Sequence, residues 1–75
     1  MEFISMTEVR KKFKKKPSAF QKAYFDAYNN PNRHLESLST NRKKINELII
    51  SGKMTKGISD FFEGKTQALK DKGLI

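Results

Sequence analysis

The chain has 75 residues and no cysteine, and its 16 Lys and Arg against eight Asp and Glu leave a formal net charge of +8. That length makes one small domain, 1–75, near the lower limit of independent folding, and without cysteine neither a disulfide nor a thiolate metal site can hold it. Twenty large apolar side chains (six Phe, two Tyr, five Leu, six Ile, one Val) are too many for a disordered tail, yet nowhere do they approach the ~18 consecutive residues of a membrane span.

The start, Met1-Glu2-Phe3-Ile4-Ser5-Met6, is acidic with a short apolar stretch, unlike a secretory signal, so a cytoplasmic location is the expectation. Ser5 and Glu8 have the spacing of a capping box and open a first helix to about Lys16. Met6, Val9 and Phe13 stripe one face of it, and Pro17 stops it. Ser18 is the expected N-cap of a second helix, about 19–29. Phe20, Ala23, Tyr24, Ala27 and Tyr28 form its apolar face, with Phe25 to one side. Asn29-Asn30-Pro31-Asn32 is a turn, with Asn32 a candidate cap for the next helix.

From Arg33 to Ser51 the residues Leu35, Leu38, Ile45, Leu48 and Ile49 fit one long helix. Polar Asn41 and Arg42 interrupt the stripe, however, and Ser39-Thr40 supplies a second cap, so the stretch reads as two helices or as one with a kink. Gly52 suits a left-handed C-terminal position. Thr55 then caps a short helix carrying Ile58, Phe61 and Phe62, which Gly64 ends. A last helix, 65–72, stops at Gly73. The glycines all read as helix ends or breaks. The expected fold is all-α, a compact bundle of four or five short helices, with a helix-turn-helix-like pair in the C-terminal half.

Chemistry is scarce in this pattern. The sole histidine, His34, lies beside a turn and is expected on the surface or at a cap. Nothing nearby supplies the orienting partner a general base needs. The carboxylates are dispersed and no glycine-rich phosphate loop is present, so neither enzyme activity nor a metal or other cofactor is expected.

Charge carries the functional signal. Arg10, Lys11, Lys12, Lys14, Lys15 and Lys16 place six positive charges in seven residues. Blocks of this kind serve either as solvated helix ends or as interaction sites. A second basic stretch comprises Arg42, Lys43, Lys44, Lys53 and Lys56. In the helix-turn-helix reading Thr55, Lys56, Ser59 and Asp60 face bases while Ile58, Phe61 and Phe62 pack inward. With 13 Lys and only three Arg, contact with the phosphate backbone is expected rather than base reading.

Phe20 and Tyr24 are expected in the core. Phe25 and Tyr28 are the expected exposed aromatic pair, a candidate protein interface. The leading expectation is a regulatory or accessory nucleic-acid-binding protein, DNA before RNA. The alternative is a small modulator or inhibitor that docks on an acidic protein surface. A membrane-surface role for Phe3, Met6, Val9 and Phe13 is the weakest option, and a homodimer is plausible at this size.

Overall fold

The computed structural model describes residues 3–75; Met1 and Glu2, on which part of the N-terminal reading rests, lie outside the described residues. Four helices and no strand occur among them: α1 (Met6–Lys12), α2 (Ser18–Asn29), α3 (Pro31–Ser51) and α4 (Lys56–Asp71). The capping box forms as the sequence implies, Glu8 N–H donating to Ser5 Oγ at 3.1 Å and Ser5 N–H to Glu8 Oε1 at 3.3 Å. Yet α1 ends at Lys12 rather than Lys16. Phe13 turns its ring into the core, 4.5 Å from Tyr24 and 5.0 Å from Phe20 between centroids. Gln21 then closes the turn from α2, donating to Phe13 O at 2.9 Å and Lys16 O at 3.3 Å. Aromatic burial thus fixes the helix end before Pro17 is reached.

Two further caps differ from expectation. Helix α2 begins at Ser18 itself, behind Pro17, and no side chain caps it. Helix α3 begins at Pro31, the position where a missing N–H is tolerated, so Asn32 lies inside the helix. Asn30 serves the preceding helix instead, its amide donating to Asp26 O at 3.2 Å. Asn29 holds the N-terminal segment by exchanging hydrogen bonds with the backbone of Ile4, at 2.8 and 3.0 Å.

Residues 31–51 form one helix, which corrects the two-helix reading. Ser39 and Thr40 are exposed and cap nothing. Asn41 interrupts the apolar stripe because its amide donates to Ser37 Oγ, four residues back, at 3.3 Å. Gly52 closes α3 with φ of 73°, and Thr55 Oγ1 caps α4 by accepting from Ile58 N–H at 3.2 Å, both as the sequence implies.

Helix α4 is likewise one helix, and Gly64 does not end it. Glycine inside a helix costs about 1 kcal/mol relative to alanine. Here it permits a close crossing: a β-carbon at Gly64 would lie 2.2 Å from Phe20 O on α2. Gly57, in the first turn of α4, breaks nothing either. Gly73 does stop the chain, with φ of 72°.

The core forms where α1, α2 and α4 meet. Val9, Phe20, Tyr24, Ala27 and Ala68 are buried together, with Ile4, Met6, Phe13, Phe25 and Tyr28 half-buried against them. Phe20 and Tyr24 are therefore core, as expected. Phe25 and Tyr28 do not form an exposed pair, contrary to expectation; Tyr28 stacks on Tyr24 at 5.7 Å. The stripe expected on α1 for a membrane surface is spent on the same core, since Val9 is fully buried.

The molecule is flat, 38 × 26 × 14 Å, with a radius of gyration of 12.4 Å against about 11 Å for an ideally compact chain of this length. The excess has a visible source. The backbone of α4 runs close along α2, while α3 approaches both only lightly, and its buried residues, His34 and Leu38, lie in its first half. Its second half buries no residue.

Candidate functional site

The predicted basic residues fall into two separate groups. Arg10, Lys11 and Lys12 occupy the last turn of α1, where the helix dipole favours cations, and Lys14, Lys15 and Lys16 lie in the turn beyond it. All six are exposed. Among the described residues only Lys12 of this group is paired with a carboxylate, Asp71 at 3.3 Å.

Lys12 is also the most committed to structure. Its ammonium donates to Tyr24 Oη at 3.2 Å and lies 5.5 Å from the ring centroids of Phe13 and Tyr24. Lys16 stands 5.1 Å over the Phe20 ring. Among the described residues Arg10, Lys11, Lys14 and Lys15 make no such contact; they are exposed charges adjacent along the chain.

Tyr24 Oη donates to Asp71 Oδ2, joining α2 to α4 beneath this cluster. Burial, then the bond to the Asp71 carboxylate and its charge, hold the Tyr24 phenol far above its ordinary range. Burial alone would raise Asp71. Hydrogen bonds from Tyr24, Gln67 and Lys12, together with the Lys12 charge, bring it below its usual value instead. Asp71 is thus an ionised anchor for one of the six cations.

Sequence reasoning missed Lys70. It lines a shallow groove with Phe13, Lys16, Phe20, Phe62, Glu63, Thr66 and Gln67, which brings a cation of α4, beside the Glu63 carboxylate, to the basic end. Nothing local could have revealed this, because Lys16 and Lys70 come to one groove only through the α2–α4 packing.

The second basic group does not join the first. The backbone of α1 comes close to α2 and to no other helix. Arg42, Lys43 and Lys44 lie on the second half of α3, and Lys53, Thr55 and Lys56 at the hairpin turn, all exposed. Lys56 pairs with Asp60 at 3.3 Å. The expected inward packing of the α4 start also fails: Ile58 and Phe61 are 37% and 46% exposed, and Phe62 is half-buried. A recognition helix needs those side chains beneath it. Here they face an open groove between α3 and α4, lined by Ile45, Leu48, Ile58, Phe61 and Phe62 with Asn41, Lys44 and Lys65.

His34 is also not where the sequence suggests. It is 7% exposed, and its Nε2 lies 2.7 Å from Asp26 Oδ2, fastening α3 to α2. Beside it Lys65 is 3% exposed and donates to Ser37 Oγ at 2.9 Å. Burial pushes the Lys65 ammonium below its ordinary pKa, and the charge of Asp26 opposes that shift. This polar seam between helices is legible only in hindsight, as His34, Ser37, Leu38 and Asn41 on one face of α3.

Among the described residues no group of three or more His, Asp or Glu could hold a metal ion, and no helix is long and apolar enough to cross a membrane. No protein family, curated protein or solved structure gives a significant match to this chain.

Proposed function

We propose that the protein is a non-enzymatic nucleic-acid-binding protein of the accessory kind, which holds the phosphate backbone of duplex DNA through Arg10, Lys11, Lys14, Lys15 and Lys16, with Lys70 beside them. One observation carries this reading. The cations of 10–16 are exposed and concentrated, and among the described residues only Lys12 of this group is neutralised by a carboxylate. Six like charges so close together repel, and a helix that needed only solubility would gain nothing from that cost. Lysine supplies point charges without the fork that reads guanine, so affinity comes from counterion release and sequence preference is weak.

Fluorescence anisotropy with labelled duplex and single-stranded oligonucleotides, at about 50 and about 200 mM salt, tests the proposal. Neutralising six phosphates gives a log–log salt slope of about −5 on duplex. Replacing Lys14 and Lys15 by Gln reduces that slope by about 2, one unit per lost contact, and weakens all sequences alike. An absence of binding at the lower salt concentration defeats the reading.

A further inference from the structure

The α3–α4 hairpin carries a second surface. Across residues 41–61 the apolar side chains do not close on one another: Ile49 is 58% exposed, Ile50 85%, Ile58 37% and Phe61 46%. The hairpin opens because α4 is committed to α2 at Gly64, Ala68 and Leu69, whereas α3 is fastened only at its first half by His34 and Leu38. Between the two helices runs the groove floored by Ile45, Leu48, Ile58, Phe61 and Phe62. Its outer end is the Gly52 turn. At its inner end, where the antiparallel helices bring Asn41 opposite Lys65, the polar seam begins.

From this groove we infer that the protein docks an amphipathic α-helix of a partner protein, apolar on its buried face and flanked by carboxylates. Dimensions and charge select this occupant. The α3 wall, residues 41–48, spans about 12 Å at the rise of an α-helix, room for two turns with anchors at i, i+3 or i+4, and i+7. Its floor is mostly aliphatic, which suits leucine-like anchors rather than stacked bases. The surrounding segment, 41–61, holds Arg42, Lys43, Lys44, Lys53 and Lys56 against only Glu47 and Asp60. Among the described residues Lys44 and Lys53 meet no carboxylate. Of these only Lys44 lines the groove itself; a second copy would bring the same positive segment against itself, a repulsion that an acidic helix converts into attraction. Apolar anchors would supply the affinity, and the lysines the orientation and the encounter rate.

The inference uses other residues than the nucleic-acid reading and stands or falls apart from it. Its test uses the full chain and a labelled peptide of about 14 residues, long enough for the groove. The peptide has leucine at every third or fourth position and glutamate at the flanks. A second peptide replaces each glutamate by lysine. Anisotropy measures affinity, and amide NMR shifts locate the site.

We expect the acidic peptide to bind in the micromolar range, with shifts at Ile45, Leu48, Ile58 and Phe61, and the lysine version to bind about tenfold more weakly. Ile58→Ser and Phe61→Ser each weaken binding about tenfold while leaving oligonucleotide affinity unchanged. The pair Lys44→Glu and Lys53→Glu keeps the apolar floor intact and reverses the preference between the two peptides. Equal binding of both peptides, or shifts outside the groove, overturns the proposal. Sedimentation showing a homodimer that buries Phe61, or an oligonucleotide that displaces the peptide from the groove, overturns it equally.

Discussion

Helix α4 belongs to two different environments along its own length. From Gly64 onward it lies against α2, with Gly64, Lys65, Ala68 and Leu69 buried and the backbones nearly touching at Phe20. Before Gly64 it borders a groove, with Ile58 and Phe61 open to solvent. Helix α3 repeats the division, its first half buried through His34 and Leu38 and its last turns exposing Ile49 and Ile50. The open half is no poorer in large apolar side chains: Ile45, Leu48, Ile49, Ile50, Ile58, Phe61 and Phe62 lie there, against Leu35, Leu38 and Leu69 in the inner half. What differs is the small residue: Ala23 and Ala27 on α2 answer Gly64 and Ala68 on α4, and small side chains let two helices approach until nothing fits between them. The outer hairpin has no such pairing, so its larger side chains hold the helices apart.

The sharpest way to break this contrast is Gly64→Ala. The new β-carbon meets backbone, not a movable side chain tip, so α2 and α4 must part. Overpacking of this kind costs about 1–3 kcal/mol, the larger figure applying here. At 4–8 °C per kcal/mol for a domain of roughly this size, thermal melting should fall by about 10 °C or more. A melting temperature unchanged by the substitution would show that the helices are not in contact at that point.

A smaller effect, of opposite sign, is expected at the boundary between the two regions. Lys65→Met removes an ammonium from a buried site and keeps its length, so stability should stay level or rise by about 1 kcal/mol. The pH dependence gives the mechanism. A lysine whose folded pKa lies below its unfolded value of about 10.4 disfavours folding while protonated in both states. That penalty fades as pH rises through the folded pKa toward the unfolded one. The advantage of Lys65→Met over the wild-type protein should therefore be largest at neutral pH and shrink toward pH 10, as paired denaturant titrations at several pH values would show. An advantage that grew with pH would mean that the buried ammonium is stabilised by its surroundings.

The smallest effect belongs to the open hairpin. Ile50→Ser replaces a side chain that is 85% exposed, and the melting temperature should shift by less than the equivalent of about 0.5 kcal/mol. A large loss would mean that Ile50 is covered in solution, by a second copy or by another part of the chain.

Much of the local structure was legible. The capping box at Ser5 and Glu8, the cap at Thr55, and the left-handed glycines at 52 and 73 are decided by hydrogen bonds and backbone freedom within a few residues. The burial of Phe20 and Tyr24 followed from helical spacing. What could not be read was whether an interruption in a pattern is an end. Asn41 breaks the stripe of α3 and Gly64 sits mid-pattern in α4, yet both helices run through. Asn41 satisfies its amide on Ser37, and Gly64 is needed by a neighbour 44 positions away. Of the candidate interface, the cations of 10–16 were visible as a block, whereas Lys70 joins them only across the α2–α4 contact.

The sequence by itself determined that the chain is helical, basic and without disulfides, that Ser5 and Thr55 cap helices and Gly52 and Gly73 end them, and that Phe20 and Tyr24 seed the core. These depend on spacing, charge and short-range bonding, all written along one dimension. Tertiary structure alone decided which helices touch. It sent Phe25 and Tyr28 toward the core and left Ile58 and Phe61 outside it. It buried His34 against Asp26 and opened the groove between α3 and α4. Identical apolar residues can be core or surface according to how closely their helices cross, and that distance is set by the side chains at the crossing on both partners together.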